Sequence, residues 1–165
     1  MSNDPFADPA PIPSEFPNAA AFRGRVICIQ PTGIELDLVN DAGKKYDKVT
    51  ANITLLDDLG PVQLMPNGIP SGQFLDGPAF EGVWLDQGRV TRAVCPDRVV
   101  VPGRLVIGRL ETFKPGQPAK KGNPWGLLDV TPAERAAAAT KWVALQTAAA
   151  SAAMSAPAKA DENPF

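Results

Sequence analysis

From Arg104 to Trp125 the chain reads Arg-Leu-Val-Ile-Gly-Arg-Leu-Glu-Thr-Phe-Lys-Pro-Gly-Gln-Pro-Ala-Lys-Lys-Gly-Asn-Pro-Trp. This is a strand running into a flexible basic loop, with Phe113 and Trp125 at its ends and Lys114, Lys120 and Lys121 between them. Ammonium groups attract phosphates, and flat apolar rings offer faces on which unpaired bases stack. The combination points to single-stranded nucleic acid. Tyr46, set among Lys44, Lys45 and Lys48 in a loop, repeats the pairing. Trp84 lies in a strand between Val83 and Leu85, where a core position and an exposed face are equally open to it. Arg23 and Arg25 share one side of the first strand, because strand side chains repeat every two residues. Arg89, Arg92, Arg104 and Arg109 extend a cationic track if their strands neighbour it. The alternative is a solvated face paired with Glu35 and Asp37.

Other chemistry finds little support. The chain has no histidine, the commonest general base and metal ligand. Two separated cysteines, Cys28 and Cys95, do not make a zinc site, and no Gly-rich phosphate loop of the P-loop type is present. The carboxylate pairs Asp57-Asp58 and Glu35/Asp37 read as solvated charge at a strand end and on a strand face. The expectation is a protein that is not an enzyme and needs no cofactor and no metal. Both cysteines sit in apolar runs; a disulfide is the alternative, and buried free thiols in a reducing cytoplasm are the expectation. No run is long and apolar enough to cross a membrane and no signal segment opens the chain, so a cytoplasmic location is expected.

The net charge of −2 conceals an uneven distribution. Between Arg23 and Lys121 there are 13 Lys/Arg against 11 Asp/Glu, while the first 22 residues carry Asp4, Asp8 and Glu15 and no base. A near-neutral body is not the strongly basic domain of a typical duplex binder.

The 165 residues divide into a proline-rich mobile arm at 1–21, a β domain at 22–130, an alanine-rich helix at 131–154 and an acidic tail at 155–165. Phe22–Gln30 reads as a strand and Pro31-Thr32-Gly33 as a turn. Two further strands follow, over 34–39 and 49–56, with Val49, Ile53 and Leu55 on one side. The stretch 59–78 is punctuated by Pro and Gly and reads as a surface excursion. Strand character returns at 80–85, 99–110 and 126–130, whereas 88–95 fits either a strand or a short helix. Thr131-Pro132-Ala133-Glu134 is a capping box with proline at the first helical position. The helix it starts has so few large apolar groups that it lies loosely on the domain or against another subunit. Short antiparallel strands, glycine turns and one outer helix fit a mostly β fold, an OB-fold-like five-stranded Greek-key barrel.

The chain ends Asp161-Glu162-Asn163-Pro164-Phe165. A terminal phenylalanine beside a free carboxylate fits an apolar pocket with a basic rim, and the acids steer it there; the alternative is a frayed end. This tail resembles the acidic, Pro-Phe-terminated C-terminus of bacterial single-stranded DNA-binding proteins, with fewer acids and Asn163 where isoleucine is common. The body is similar to small actinobacteriophage proteins of the single-stranded DNA-binding family. The matching stretches are Phe22-Arg23-Gly24-Arg25-Val26-Ile27, Val49-Thr50-Ala51-Asn52-Ile53, Leu55-Leu56-Asp57, Gly82-Val83-Trp84, Gly108-Arg109-Leu110, Lys121-Gly122-Asn123-Pro124-Trp125 and the helix start from Asp129 to Ala138. The resemblance implies an OB-fold, a homo-oligomer and sequence-tolerant binding of single-stranded DNA in phage DNA replication or recombination, inside the bacterial host cell. It also implies that Asp161, Glu162, Pro164 and Phe165 recruit replication or repair proteins. A reading from another class is an adaptor or virion component built on the same small β-barrel.

Overall fold

The computed structural model describes residues 17–155. Most of the N-terminal arm and the whole Asp161–Phe165 tail lie outside the described residues. Ala19–Phe22 forms a 3-10 turn capped by the Asn18 side chain, and Ala19, Ala21 and Phe22 are buried. Phe22 meets Phe80 edge-on, with ring centroids 5.4 Å apart and planes at 76°, a favoured aromatic geometry.

Five strands form one antiparallel sheet. They are β1 (Val26–Val39), β2 (Lys45–Leu55), β5 (Ala79–Leu85), β6 (Val106–Thr112) and β7 (Trp125–Leu128), in the order β5-β2-β1-β6-β7. β5 and β7 are its two edges. Two short strands, β3 (Val62–Gln63) and β4 (Phe74–Leu75), pair as a hairpin inside the 59–78 excursion. Between β5 and β6 lies the helix α1 (Gly88–Val94), which settles the ambiguous stretch in favour of a helix. Val90, Thr91 and Val94 are its buried side, as a helical repeat of three to four requires.

Several boundaries differ from the sequence reading. Pro31 does not end a strand: β1 continues through it, and a register shift between Pro31 and Gly33 absorbs the missing N–H at a bulge. Phe22–Arg25 precede the strand, so Arg23 and Arg25 sit on a turn. Lys45, Tyr46 and Lys48 belong to β2 and not to a loop. Residues 99–105 are not strand, and β6 begins only at Val106, after the Pro102-Gly103 turn.

The core forms where the alternation says it should. Val49, Ala51, Ile53 and Leu55 of β2 face it, with Ile27 and Ile29 from β1, Val83 and Leu85 from β5 and Leu110 from β6. β1 is buried on both faces over Val26–Ile29, because Val26 and Cys28 pack outward beneath α2 (Pro132–Ser155). That helix starts at the capping box: Thr131 Oγ1 accepts from Glu134 N at 3.1 Å, and Glu134 Oε1 accepts from Thr131 N at 3.2 Å. Ala138, Trp142 and Leu145, spaced four and three apart, lie against Val26, Cys28 and Leu56. Lys141 adds a hydrogen bond to the Asp57 carbonyl at 2.7 Å and an ion pair with Asp58. The cysteines are free and buried in different clusters, and burial pushes the Cys28 thiol up to about 11. Among the described residues no helix is long and apolar enough to cross a membrane.

Candidate nucleic-acid interface

Trp84 owes its position to Gly82. Along β5, Phe80 faces inward, so a regular period of two would turn residues 82 and 84 inward as well. Instead β5 pairs Phe80 with Ile53 and Val83 with Ala51, leaving one extra residue on its own side. Gly82 adopts φ 69° there, a left-handed conformation that glycine takes without steric cost. The bulge puts Val83 and Leu85 in the core and turns Trp84 outward, where it is 63% exposed. Across the sheet its neighbours are Thr50 and then Gly33, so part of its surroundings is bare backbone. Lys48 Nζ stands 4.2 Å from the ring centroid, within cation–π range.

The other rings also carry cations. The Arg89 guanidinium lies 4.5 Å from Phe113, which is exposed and whose edge lies over Gly126. Arg23 lies 5.3 Å from Trp125. Trp125 is half-buried against the core, which makes it a weaker platform than its place beside the basic loop suggests. Tyr46 is half-buried on β2.

Ion pairing sorts the arginines and lysines into two groups. Arg25 is buried, with Asp57 at 2.7 Å and the Gly60 and Pro61 carbonyls as further acceptors. It therefore belongs to the core and not to a phosphate-facing track. Burial opposes ionisation of Asp57, but the Arg25 hydrogen bonds and the N–H groups of Leu59 and Val26 outweigh it and hold the carboxyl below its usual range. Arg23 bonds Glu111 at 2.7 Å, Thr112 Oγ1 at 3.1 Å and the Gln117 carbonyl. Arg109 pairs with Glu134 of α2, and Lys48 with Glu35 at 3.3 Å. Glu35 and Asp37 thus do not serve Arg23 and Arg25: Asp37 goes to Arg98 at 2.8 Å. Arg104 is half-buried, and its Nε has no acceptor.

Lys44, Lys45, Arg89, Arg92, Lys114, Lys120 and Lys121 are exposed, and no described carboxylate pairs with them. They come from the β1–β2 hairpin tip, α1 and the β6–β7 loop. Lys44, Lys45 and Arg92 line one cleft, and Arg89 reaches across to Phe113.

Three positions carry weight that the sequence reading missed. Asn123 is fully buried at the centre of the β6–β7 loop. Its Oδ1 accepts from Lys114 N at 2.6 Å, and its Nδ2 donates to the carbonyls of Lys114, Gln117 and Pro118. The loop is therefore stapled around one amide, with its lysines outside. Arg98 clamps Asp47 through two nitrogens, both at 2.9 Å; that contact and the Asp37 N–H hold the Asp47 carboxyl below its ordinary range. Gly82, described above, aims the tryptophan. A glycine inside a strand pattern is a general bulge signal and could have found Gly82, whereas no local signal marks Arg98 or Asn123.

Comparison with protein-family models, curated proteins and solved structures returns no match.

Proposed function

We propose that the chain is a non-enzymatic, OB-like protein that binds single-stranded DNA with little sequence preference, in phage DNA replication or recombination. The observation that carries this reading is Trp84. A large aromatic ring is turned out of the sheet by a bulge and held beside an ammonium group. Lys48 covers one face of the ring, and the exposed remainder of the indole offers a base a stacking surface. The sheet order and the helix between the third and fourth long strands are consistent with the OB arrangement. There the outer face of the second and third strands, with the loops after the first and fourth, receives oligonucleotides. In this chain those are the β2–β5 face bearing Lys48 and Trp84, the hairpin tip with Lys44 and Lys45, and the loop with Lys114, Lys120 and Lys121. Homo-oligomerisation and recruitment of replication or repair proteins by the C-terminal residues complete the proposal.

The test is a titration of oligo-dT into the protein at low and moderate salt, following tryptophan fluorescence. Saturable quenching that weakens with salt, and is lost in Trp84→Phe, supports the reading. A folded protein that leaves oligo-dT unbound at low salt overturns it.

A second reading, a protein-interaction adaptor, is favoured by a different surface. From Leu59 to Leu75 the chain carries no charged residue, and Leu59, Ile69 and Phe74 are exposed there. Failure to bind DNA would turn attention to that surface.

A further inference from the structure

A cleft of about 780 Å³ opens between the β1–β2 hairpin tip and α1, a volume in the range that holds small ligands. One wall carries Lys44, Lys45 and Tyr46, and the other Gln87, Thr91 and Arg92. The walls are tied together by Arg98, which bonds Asp47 of β2 and Asp37 of β1. Asp37 and Arg98 both hold left-handed backbone conformations, φ 54° and 58°. Aspartate visits that region readily, and arginine does so at a cost of roughly 1–2 kcal/mol, so the Asp37 and Asp47 contacts hold Arg98 in a backbone conformation that is unfavourable by itself.

The groups facing the cleft form a specific set. Arg98 engages both Asp37 and Asp47, and with Asp86 the described lining carries three carboxylates against Lys44, Lys45, Arg92 and Arg98, an excess of one positive charge. An anion is favoured there. Tyr46 contributes a flat ring. A bare anion would use the cations and leave the ring unused. A phosphate joined to a planar base uses both.

We infer that this cleft binds a single nucleotide unit, with its phosphate on Lys44, Lys45 and Arg92 and its base against Tyr46. The inference rests on the proposed strand-binding reading. It adds a fixed pocket, so that at one end the strand is gripped by a formed site and not only by an open face.

The test uses thymidine 5′-monophosphate, followed by backbone amide shifts of the whole protein, beside inorganic phosphate and 2-deoxyribose 5-phosphate, which lacks the base. The monophosphate should saturate with shifts at Tyr46, Gln87 and Arg92. It should bind at least tenfold more tightly than inorganic phosphate, and loss of the base should remove most of that advantage. Arg92→Ala, on an exposed position of α1, should abolish binding; Tyr46→Phe should retain it and Tyr46→Ala lose it. If thymidine monophosphate binds no more tightly than phosphate while oligo-dT still binds through Trp84, the cleft assignment is overturned and the strand reading stands. If the monophosphate binds and oligo-dT does not, the cleft stands and the strand reading falls.

Discussion

Lys48 Nζ lies 4.2 Å from the centre of the Trp84 ring, although the two residues sit on neighbouring strands whose regular alternation would have buried the indole. The bulge at Gly82 brings them together on the outer face. Trp84→Ala should therefore weaken oligo-dT binding by about 1–3 kcal/mol with little effect on stability, since the side chain is not in the core. Trp125→Ala should do the reverse, lowering the melting temperature with a smaller loss of affinity, because Trp125 packs against the core. Paired fluorescence titrations and thermal melts of the two variants check this. Equal losses of affinity would reject the ranking.

Replacing Gly82 tests what aims the ring. A Cβ at Gly82 would meet nothing within 4 Å, so the cost of Gly82→Ala comes from the backbone conformation alone, about 1 kcal/mol. Gly82→Val should cost more, since a β-branched residue tolerates positive φ less well. Both should reduce DNA binding in step with a blue shift of tryptophan emission if strain pulls β5 out of its bulge. Denaturant midpoints and emission spectra read the outcome.

Asn123→Ala removes the amide that holds the β6–β7 loop. It strands the N–H of Lys114, whose acceptor is Asn123 Oδ1 at 2.6 Å, and a buried unmet donor costs about 1–3 kcal/mol. Hydrogen exchange at Lys114 should accelerate, and Lys120 and Lys121 should lose their fixed placement. Unchanged exchange at Lys114 would show that the loop holds itself.

The Arg25–Asp57 pair gives the pH dependence its sign. The Asp57 carboxyl titrates below its ordinary value of about 3.9. A depressed folded value contributes stability above the unfolded value, and that contribution is lost as pH falls through the folded one. Urea midpoints should drop as pH falls below about 5. Asp57→Asn should be less stable at neutral pH, by about 3 kcal/mol because Arg25 remains buried without its counter-charge, and its acid slope should be flatter. An equally steep slope in the variant would place the acid transition elsewhere.

What the sequence determined on its own was local. Alternation over 49–55 marked the core face of β2, the Thr131–Glu134 capping box placed the start of α2, and Gly and Pro marked the excursion at 59–78, because each of these depends on neighbours within a few residues. The mostly β character followed from them. The candidate lysines were also legible by type, since exposed charge needs no partner. Tertiary structure decided which cations are engaged. Arg25 looked like a surface charge beside Arg23, yet Asp57, 32 residues away in sequence, takes it into the core. Trp125 and Trp84 exchanged rank for a similar reason: one ring is covered by strands that meet it only in the folded sheet, and the other is turned outward by a single extra residue in the pairing of β5 with β2. Arg98 and the cleft it fastens depend on contacts across more than 50 residues with Asp47, a separation at which side-chain pattern carries no information and only the folded chain brings the partners together.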